Sequence, residues 1–110
     1  MSINQLPLPI AAYVHAINAE DATAALRCFT PDAHVHDEGA DYQGTAAIKG
    51  WLVETQRKSH FTMEVLNAKT VANDTELTMR LAGTFPGSPI ELHSHFKLDA
   101  THIRDLRIHA

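Results

Sequence analysis

Three polar side chains, Tyr13, Asp37 and Ser94, fall on rows of the sequence whose other members are apolar. Side chains repeat on one face of a helix every three to four residues and on one face of a strand every second residue. An apolar row faces the protein core, where an unpartnered neutral polar group costs on the order of 1–3 kcal/mol. The three side chains therefore indicate the polar end of a pocket. A carboxylate there can accept a proton, and hydroxyl groups can hydrogen-bond a developing oxyanion.

Asp37 also has a simpler interpretation. It shares its row with Ala33 and Val35, but it is the last member of that row and lies close to Gly39. A solvated carboxylate that caps the loop after the strand would explain the pattern without a pocket. The two interpretations differ in one measurable property, because burial raises the pKa of a carboxyl group and solvation does not.

Helical periodicity dominates the first half of the chain. The stripe that contains Tyr13 predicts a first helix, and its other members are Ile10, Val14 and Ile17. Asp21 is a predicted N-cap of a second short helix. Its apolar stripe is Ala22, Ala25, Leu26 and Phe29, and residues 30–32 end it at Pro31.

A third helix is expected from Thr45, with Ile48, Trp51 and Leu52 on one side. Gly50 lies inside this helix and costs about 1 kcal/mol relative to alanine. A glycine at this position suggests close packing of the helix against a neighbour.

Alternating apolar and polar residues predict strands in the rest of the chain. A short strand over 33–38 leads into a loop that holds Gly39 and Gly44, and four strands cover 62–72, 75–85, 90–98 and 102–109. Helices followed by strands predict an α+β fold, in one domain over residues 1–110, with three helices packed against a curved, mostly antiparallel sheet. The expected core joins Leu77, Met79, Leu81, Leu92, Phe96 and Leu98 of the sheet to Ile10, Ile17, Leu26 and Phe29.

Composition excludes several classes of protein. Nine Lys and Arg against thirteen Asp and Glu give a net charge of −4, which argues against a nucleic-acid partner. No apolar run approaches the roughly 20 residues of a membrane span, and the N-terminal residues do not follow the pattern of a signal peptide. Cys28 is the single cysteine, so the expected compartment is the reducing cytoplasm. No nucleotide fingerprint or phosphate loop is present, and no cofactor is expected.

The ordered set of these segments resembles the nuclear-transport-factor-2-like superfamily, and most closely its SnoaL-like and ketosteroid-isomerase-like members. The resemblance is carried by Tyr13-Val14-His15-Ala16-Ile17-Asn18-Ala19-Glu20-Asp21, by Phe29-Thr30-Pro31-Asp32-Ala33-His34-Val35-His36-Asp37 and by Gly44-Thr45-Ala46-Ala47-Ile48. It covers nearly the whole chain. It implies a cone-shaped α+β barrel of the cystatin-like roll type, with a strongly bent sheet wrapped around helices and enclosing an apolar pocket.

The same resemblance implies roles for the polar residues. In ketosteroid isomerases, a tyrosine of the first helix donates a hydrogen bond to the substrate carbonyl, and an aspartate that ends the first strand moves the proton. These positions match Tyr13 and Asp37. A protonated aspartate completes the oxyanion hole in those enzymes. That third position falls on Ser94, whose neutral hydroxyl is a poorer donor, so steroid isomerisation itself is not favoured.

Two function classes follow. The first is acid–base chemistry on a small apolar carbonyl compound, of the isomerase, cyclase or dehydratase type, with Asp37 as general base. The second is a non-catalytic ligand-binding or dimerisation module of the same fold. In either case we expect nine residues to line the ligand pocket: Val14, Ile17, Phe29, Val35, Trp51, Met79, Leu81, Phe96 and Leu106.

Histidines occur in two pairs with metal-ligand spacing, His34 with His36 and His93 with His95. If Asp37 and Ser94 point inward, all four imidazoles point outward, which favours a polar outer sheet face over a metal site. In this superfamily that face commonly forms a homodimer interface. We therefore expect a homodimer and no metal.

Two other residues have open or structural interpretations. Arg104 lies either at the pocket or on the surface, because the last strand allows Ile103, or Leu106 with Ile108, to face inward. Cys28 is interpreted as a small core residue and not as a nucleophile.

Overall fold

Three helices and six strands follow one another along residues 6–110, the part of the chain that the computed structural model describes. The helices are α1 (Leu8–Asn18), α2 (Ala22–Leu26) and α3 (Thr45–Lys58). The strands are β1 (Phe29–Asp37), β2 (Ala40–Gln43), β3 (Phe61–Val71), β4 (Asp74–Gly83), β5 (Ile90–Asp99) and β6 (His102–His109). The predicted α+β class is confirmed.

All six strands form one mixed sheet in the order β2-β1-β6-β5-β4-β3. Neighbouring strands are antiparallel except for β1 and β6, which run parallel. The sheet does not close, since β2 and β3 are its edges. Helix α1 contacts β3 and β6, and α3 contacts β1 and β2, so the helices cover one face of the roll.

The start of the sheet differs from the prediction. Phe29 begins β1 and does not end α2, so the strand runs through Pro31. The predicted loop after Asp37 contains β2, which pairs with β1 in a two-residue hairpin that places Asp37 opposite Ala40. Both turn residues, Glu38 and Gly39, have positive φ values of 52° and 77°. This combination is typical of the type I′ turn that joins strands of right-handed twist.

A bulge resolves the ambiguity of the last strand. Leu98 of β5 pairs with Ile103 and Lys97 pairs with Asp105, so Arg104 is an extra residue without a partner. Because the bulge shifts the alternation by one, Ile103 and Leu106 both point inward and are fully buried. Arg104 is exposed, which excludes it from the interior.

The predicted core is confirmed. None of its ten residues is exposed, and Ile10, Leu77, Met79 and Phe96 are almost completely buried. The Tyr13 ring lies inside this core, with its centroid 5.8 Å from that of Phe29 and 5.7 Å from that of Phe96, both in edge-on geometry. Such pairs contribute about 0.5–1.5 kcal/mol beyond burial, and they fix the direction of the phenol.

Two glycines have different surroundings. Gly50 is exposed and a Cβ at this position would contact nothing within 4 Å, so the expectation of close packing at Gly50 is wrong. A Cβ on Gly83 would lie 2.0 Å from the carbonyl oxygen of His60. The close approach of two backbones is therefore found between β3 and β4, not at α3.

Candidate functional site

A cavity of about 390 Å³ lies between the inner face of the sheet and helices α1 and α3. Most of its wall is apolar and comes from β3, β4, β5, β6 and the loop after β4. The polar part of the wall consists of Tyr13, Asp37, Glu38, Thr55, Gln56 and Ser59. A volume of this size suits a small organic molecule.

Asp37 enters the cavity from the end of β1. It shares the inner face with Ala33 and Val35, both fully buried, and is itself only partly buried because the strand ends there. The indole Nε1–H of Trp51 donates a hydrogen bond to Asp37 Oδ2 over 3.0 Å. The carboxylate is thus held from α3 at the wall of the cavity, in agreement with the pocket interpretation of Asp37.

Burial raises the pKa of Asp37 above its ordinary value of 3.8. The hydrogen bond from Trp51 opposes this rise, since it stabilises the charged form. The neighbouring Glu38 carboxylate adds to the rise, whereas the Glu38 backbone amide and His36 act against it. The net result is a carboxylate that holds its proton more tightly than a solvated one and is correspondingly more basic.

Tyr13 enters from α1, and only 2 % of its surface is exposed. Burial raises its pKa strongly, the negative charge of Asp37 raises it further, and Cys28 adds a smaller rise when its thiol is ionised. A phenol in this environment stays protonated at neutral pH. Tyr13 can therefore donate a hydrogen bond to an oxygen in the cavity, while Asp37 can accept a proton.

Ser94 does not line the cavity, although it is buried and faces inward as predicted. Its hydroxyl donates a weak hydrogen bond to the sulfur of Met79 over 3.8 Å. Met79 lines the cavity, whereas Ser94 does not. Of the three predicted residues, Tyr13 and Asp37 line one cavity and Ser94 does not.

The nine residues expected to line the ligand divide into two groups. Four of them line the cavity: Ile17, Trp51, Met79 and Leu81. The other five are core residues that do not reach it: Val14, Phe29, Val35, Phe96 and Leu106. Their expected position is corrected here, and the reason is physical. An inward-facing row contains more side chains than one cavity can contact, and the remaining side chains pack with one another in the hydrophobic core.

Helix α3 contributes polar residues that the sequence interpretation missed. Thr55 and Gln56 continue the inward stripe that begins at Ile48 and Leu52, and Ser59 lines the cavity from the position directly after the helix. The spacing of four residues from Leu52 to Gln56 was a usable signal, since it places an amide on an apolar row. Within residues 6–110, the Gln56 amide nitrogen is buried and has no hydrogen-bond partner.

The paired histidines lie on the other face of the sheet. Asp41 Oδ1 lies 2.9 Å from both His34 Nε2 and His36 Nδ1. On β5, His95 Nε2 lies 2.9 Å from His109 Nε2, and His93 stacks on the same ring. Among the described residues, no group of three or more His, Cys, Asp or Glu could hold a metal ion.

Cys28 is a buried thiol whose sulfur lies 3.5 Å from the carbonyl oxygen of Ala24. Burial raises its pKa, which makes it a poor nucleophile. None of the helices found in residues 6–110 is both long and apolar enough to cross a membrane.

A family model for the SnoaL-like domain matches residues 10–106 of the chain. The chain belongs to this family. The match spans both Tyr13 and Asp37 and confirms the resemblance drawn from the sequence. No curated protein shows significant similarity to this SnoaL-like domain.

Solved structures similar to this SnoaL-like domain share its fold. A "putative polyketide cyclase" from Sinorhizobium meliloti is 31% identical, with a TM-score of 0.95 over 99% of this chain and 100% of that chain. A hypothetical protein from Catenulispora acidiphila with a ketosteroid isomerase-like fold, in complex with trimethylamine, is 17% identical, with a TM-score of 0.86 over 96% of this chain and 87% of the other. An NTF2-like protein of unknown function from Cytophaga hutchinsonii is 16% identical, with a TM-score of 0.77 over 99% and 89%.

Proposed function

We propose that the cavity binds a small apolar carbonyl compound and that Asp37 and Tyr13 catalyse proton transfer next to its carbonyl group. The observation that carries this proposal is the position of the two side chains. A carboxylate with a raised pKa and a phenol that stays protonated line one largely apolar cavity. Titratable groups whose pKa values are shifted in this way by their surroundings are typical of acid–base sites.

The proposed reaction begins with the carbonyl oxygen near the Tyr13 hydroxyl. The Asp37 carboxylate removes a proton from the adjacent carbon, the C–H electron pair forms an enolate, and Tyr13 donates a hydrogen bond to the enolate oxygen. Since Trp51 occupies Oδ2, the other carboxylate oxygen is available for the proton. Return of that proton to a different carbon gives isomerisation. For cyclisation, the enolate carbon attacks a second carbonyl of the same molecule, and the resulting alkoxide takes the proton back from Asp37.

The similarity to the Sinorhizobium meliloti protein supports the cyclase type among these outcomes. A cyclisation substrate needs more than one oxygen function, and the cavity has polar residues on α3 as well as at Asp37. We therefore propose a carbonyl compound with further oxygens as the substrate class.

The alternative is a binding module without catalysis. It is favoured by Ser94, which is screened from the cavity by Met79 and leaves Tyr13 as the one predicted oxyanion donor there. Enolate formation with a single donor is slower than with two, because each donor contributes about 2.7–4 kcal/mol.

Deuterium exchange separates the two functions without knowledge of the natural substrate. We would incubate 1-tetralone in D₂O with the protein and follow loss of the α-proton signal by NMR. The proposal expects exchange faster than in buffer, loss of that acceleration in Asp37→Asn, and no loss in Asp41→Asn, the same change on the outer face. Exchange at the buffer rate, together with saturable binding of 1-tetralone, would identify a binding module.

We also propose a homodimer through the outer face of the sheet. This face carries both charge signs in neighbouring positions, as in the contact of Arg107 with Asp105. It also places imidazoles against carboxylates, His36 against Asp41 and His95 against Glu76. A twofold axis brings the same surface of two copies together, and a surface of mixed sign can complement itself.

A further inference from the structure

The wall of the cavity carries negative charge without a compensating positive charge. Asp37 and Glu38 both line it, and none of the described residues that line it is a lysine, an arginine or a histidine. The two carboxylates lie close enough for the charge of Glu38 to raise the pKa of Asp37. Most of the remaining wall is apolar, and charges interact more strongly beside apolar groups than in bulk water. An anionic group in this cavity would therefore be repelled.

Glu38 lies at the end of the cavity that adjoins a second open space. Asp37, Glu38 and Trp51 line both the cavity and a groove of about 390 Å³ between β2 and α3. Because Glu38 is exposed, the boundary between the cavity and solvent lies at this residue. Lys58 also lines the groove, but three carboxylates line it too, those of Asp37, Glu38 and Glu54. A ligand that reaches the cavity from this side passes the Glu38 carboxylate.

Local structure does not explain a glutamate at position 38. The residue is the first turn residue of the β1–β2 hairpin, and its φ of 52° is one that glycine, asparagine and aspartate adopt more readily. Glu38 also takes part in none of the salt bridges found in residues 6–110. Its carboxylate therefore serves neither the turn nor an ion pair, and what it contributes is charge at the cavity.

We infer that Glu38 is a specificity-determining residue that excludes anionic compounds from the cavity by like-charge repulsion. This assignment rests on the function proposed above and narrows its substrate class to carbonyl compounds whose further oxygens carry no charge. Repulsion acts over about 8 Å at physiological ionic strength, so it needs no direct contact between the Glu38 side chain and the ligand. Selectivity of this kind comes from a penalty on the wrong ligand.

Two nearly isosteric probes test the assignment. At pH 8, 6-hydroxy-2-naphthamide is neutral and 6-hydroxy-2-naphthoate is an anion, while the ring system and the hydroxyl group are the same. We would measure both dissociation constants by isothermal titration calorimetry at pH 8 and low ionic strength. The ratio of the two constants gives the preference for the neutral probe. We expect this preference to fall about fivefold in Glu38→Gln, because one like charge near the ligand is removed.

Glu64→Gln is the matched control. It removes the same charge from an exposed residue of β3 that does not line the cavity, so the preference stays at the wild-type value. Salt provides a second measurement, because ions screen repulsion between charges. We expect the wild-type preference to fall as the ionic strength rises, and the preference in Glu38→Gln to change less.

An unchanged preference in Glu38→Gln, or an equal fall in Glu64→Gln, would overturn the assignment and leave Glu38 as a turn residue. In that case, binding of the neutral probe would leave the proposed pocket intact. Failure of the wild-type protein to bind the neutral probe would instead contradict the proposed function, and the assignment of Glu38 with it.

Discussion

The indole of Trp51 and the carboxylate of Asp37 are joined by a hydrogen bond of 3.0 Å that links α3 to the end of β1. The Tyr42 ring, from β2, packs against the indole with 6.1 Å between ring centroids. Three elements thus fix the orientation of one carboxylate. The indole donates to Oδ2 of Asp37 and not to its second carboxylate oxygen.

Trp51→Phe is predicted to raise the pKa of Asp37 further. The variant keeps an aromatic ring beside Tyr42 but removes the donor that stabilises the charged carboxylate. The titration of the Asp37 side-chain carboxyl carbon, followed by NMR, is the measurement. Tyr42→Phe is the control, since it keeps the ring contact and leaves the hydrogen bond in place. A titration midpoint in Trp51→Phe equal to that of the wild type would show that the indole does not control the carboxylate.

Asp37→Asn is predicted to stabilise the fold at neutral pH. The folded protein holds the Asp37 proton more tightly than the unfolded chain does, so stability is lost as the pH rises from the ordinary value of 3.8 through the raised pKa. An asparagine oxygen still accepts the bond from Trp51 and carries no charge. Melting temperatures of both proteins between pH 3 and pH 8 test this. We expect the gain at pH 7 to disappear below about pH 3.8, and a gain that persists there would exclude the ionised carboxylate as its cause.

Tyr13→Phe is predicted to slow proton exchange without loss of the fold. The phenol contributes one hydrogen bond to the oxyanion, so its removal costs about 2–4 kcal/mol of transition-state stabilisation. Asp37→Asn removes the base itself and is expected to abolish exchange while ligand binding continues. The 1-tetralone exchange rates of the two variants test whether Asp37→Asn loses more activity than Tyr13→Phe. Equal rates in Tyr13→Phe and the wild type would remove Tyr13 from the site.

Short-range patterns were sufficient to predict the α+β fold, the three helices and the inward faces of β4 and β5. They failed where a local rule met a tertiary constraint. Phe29 continues the apolar stripe of α2, yet pairing with β6 draws it into a strand. Residue Arg104 bulges from β6, and no alternation rule locates a bulge before the partner strand is known.

The site was predictable in part. Tyr13 and Asp37 were identified because each breaks an apolar row, and the same criterion applied to α3 identifies Gln56. Ser94 also breaks an apolar row, but whether it reaches the cavity depends on the side chain of Met79 across the sheet. Contacts between strands of this kind follow from register and packing, which a single sequence does not encode locally.

Gly50→Ala is predicted to stabilise the protein by about 1 kcal/mol. The added methyl group meets no atoms in the folded protein, and alanine reduces the backbone freedom of the unfolded chain. Gly83→Ala is its counterpart. A Cβ on Gly83 would lie 2.0 Å from the His60 carbonyl oxygen, and forced displacement of β3 costs about 1–3 kcal/mol. Urea denaturation of both variants gives the two free-energy changes. Destabilisation by Gly50→Ala would mean that α3 packs against a partner at this point.

The homodimer is predicted to weaken as the pH falls toward about 5. Acid places positive charge on imidazole rings. His93 and His95 each stack on His109, so positive charge on these rings brings like charges together. Protonation of His34 and His36 acts in the opposite sense, because both contact Asp41. Sedimentation at micromolar concentration between pH 5 and pH 8 measures the fraction of dimer and shows which of the two effects is larger. A monomer at neutral pH would contradict the proposed interface.

A crystal structure of the protein with bound 2-naphthol, whose hydroxyl mimics an enol, tests the central proposal most directly. The proposal predicts the ring system inside the cavity of about 390 Å³, with its oxygen within hydrogen-bond distance of the Tyr13 hydroxyl and the adjacent ring carbon next to the Asp37 carboxylate. A ring bound elsewhere, or an oxygen directed away from Tyr13, would contradict it.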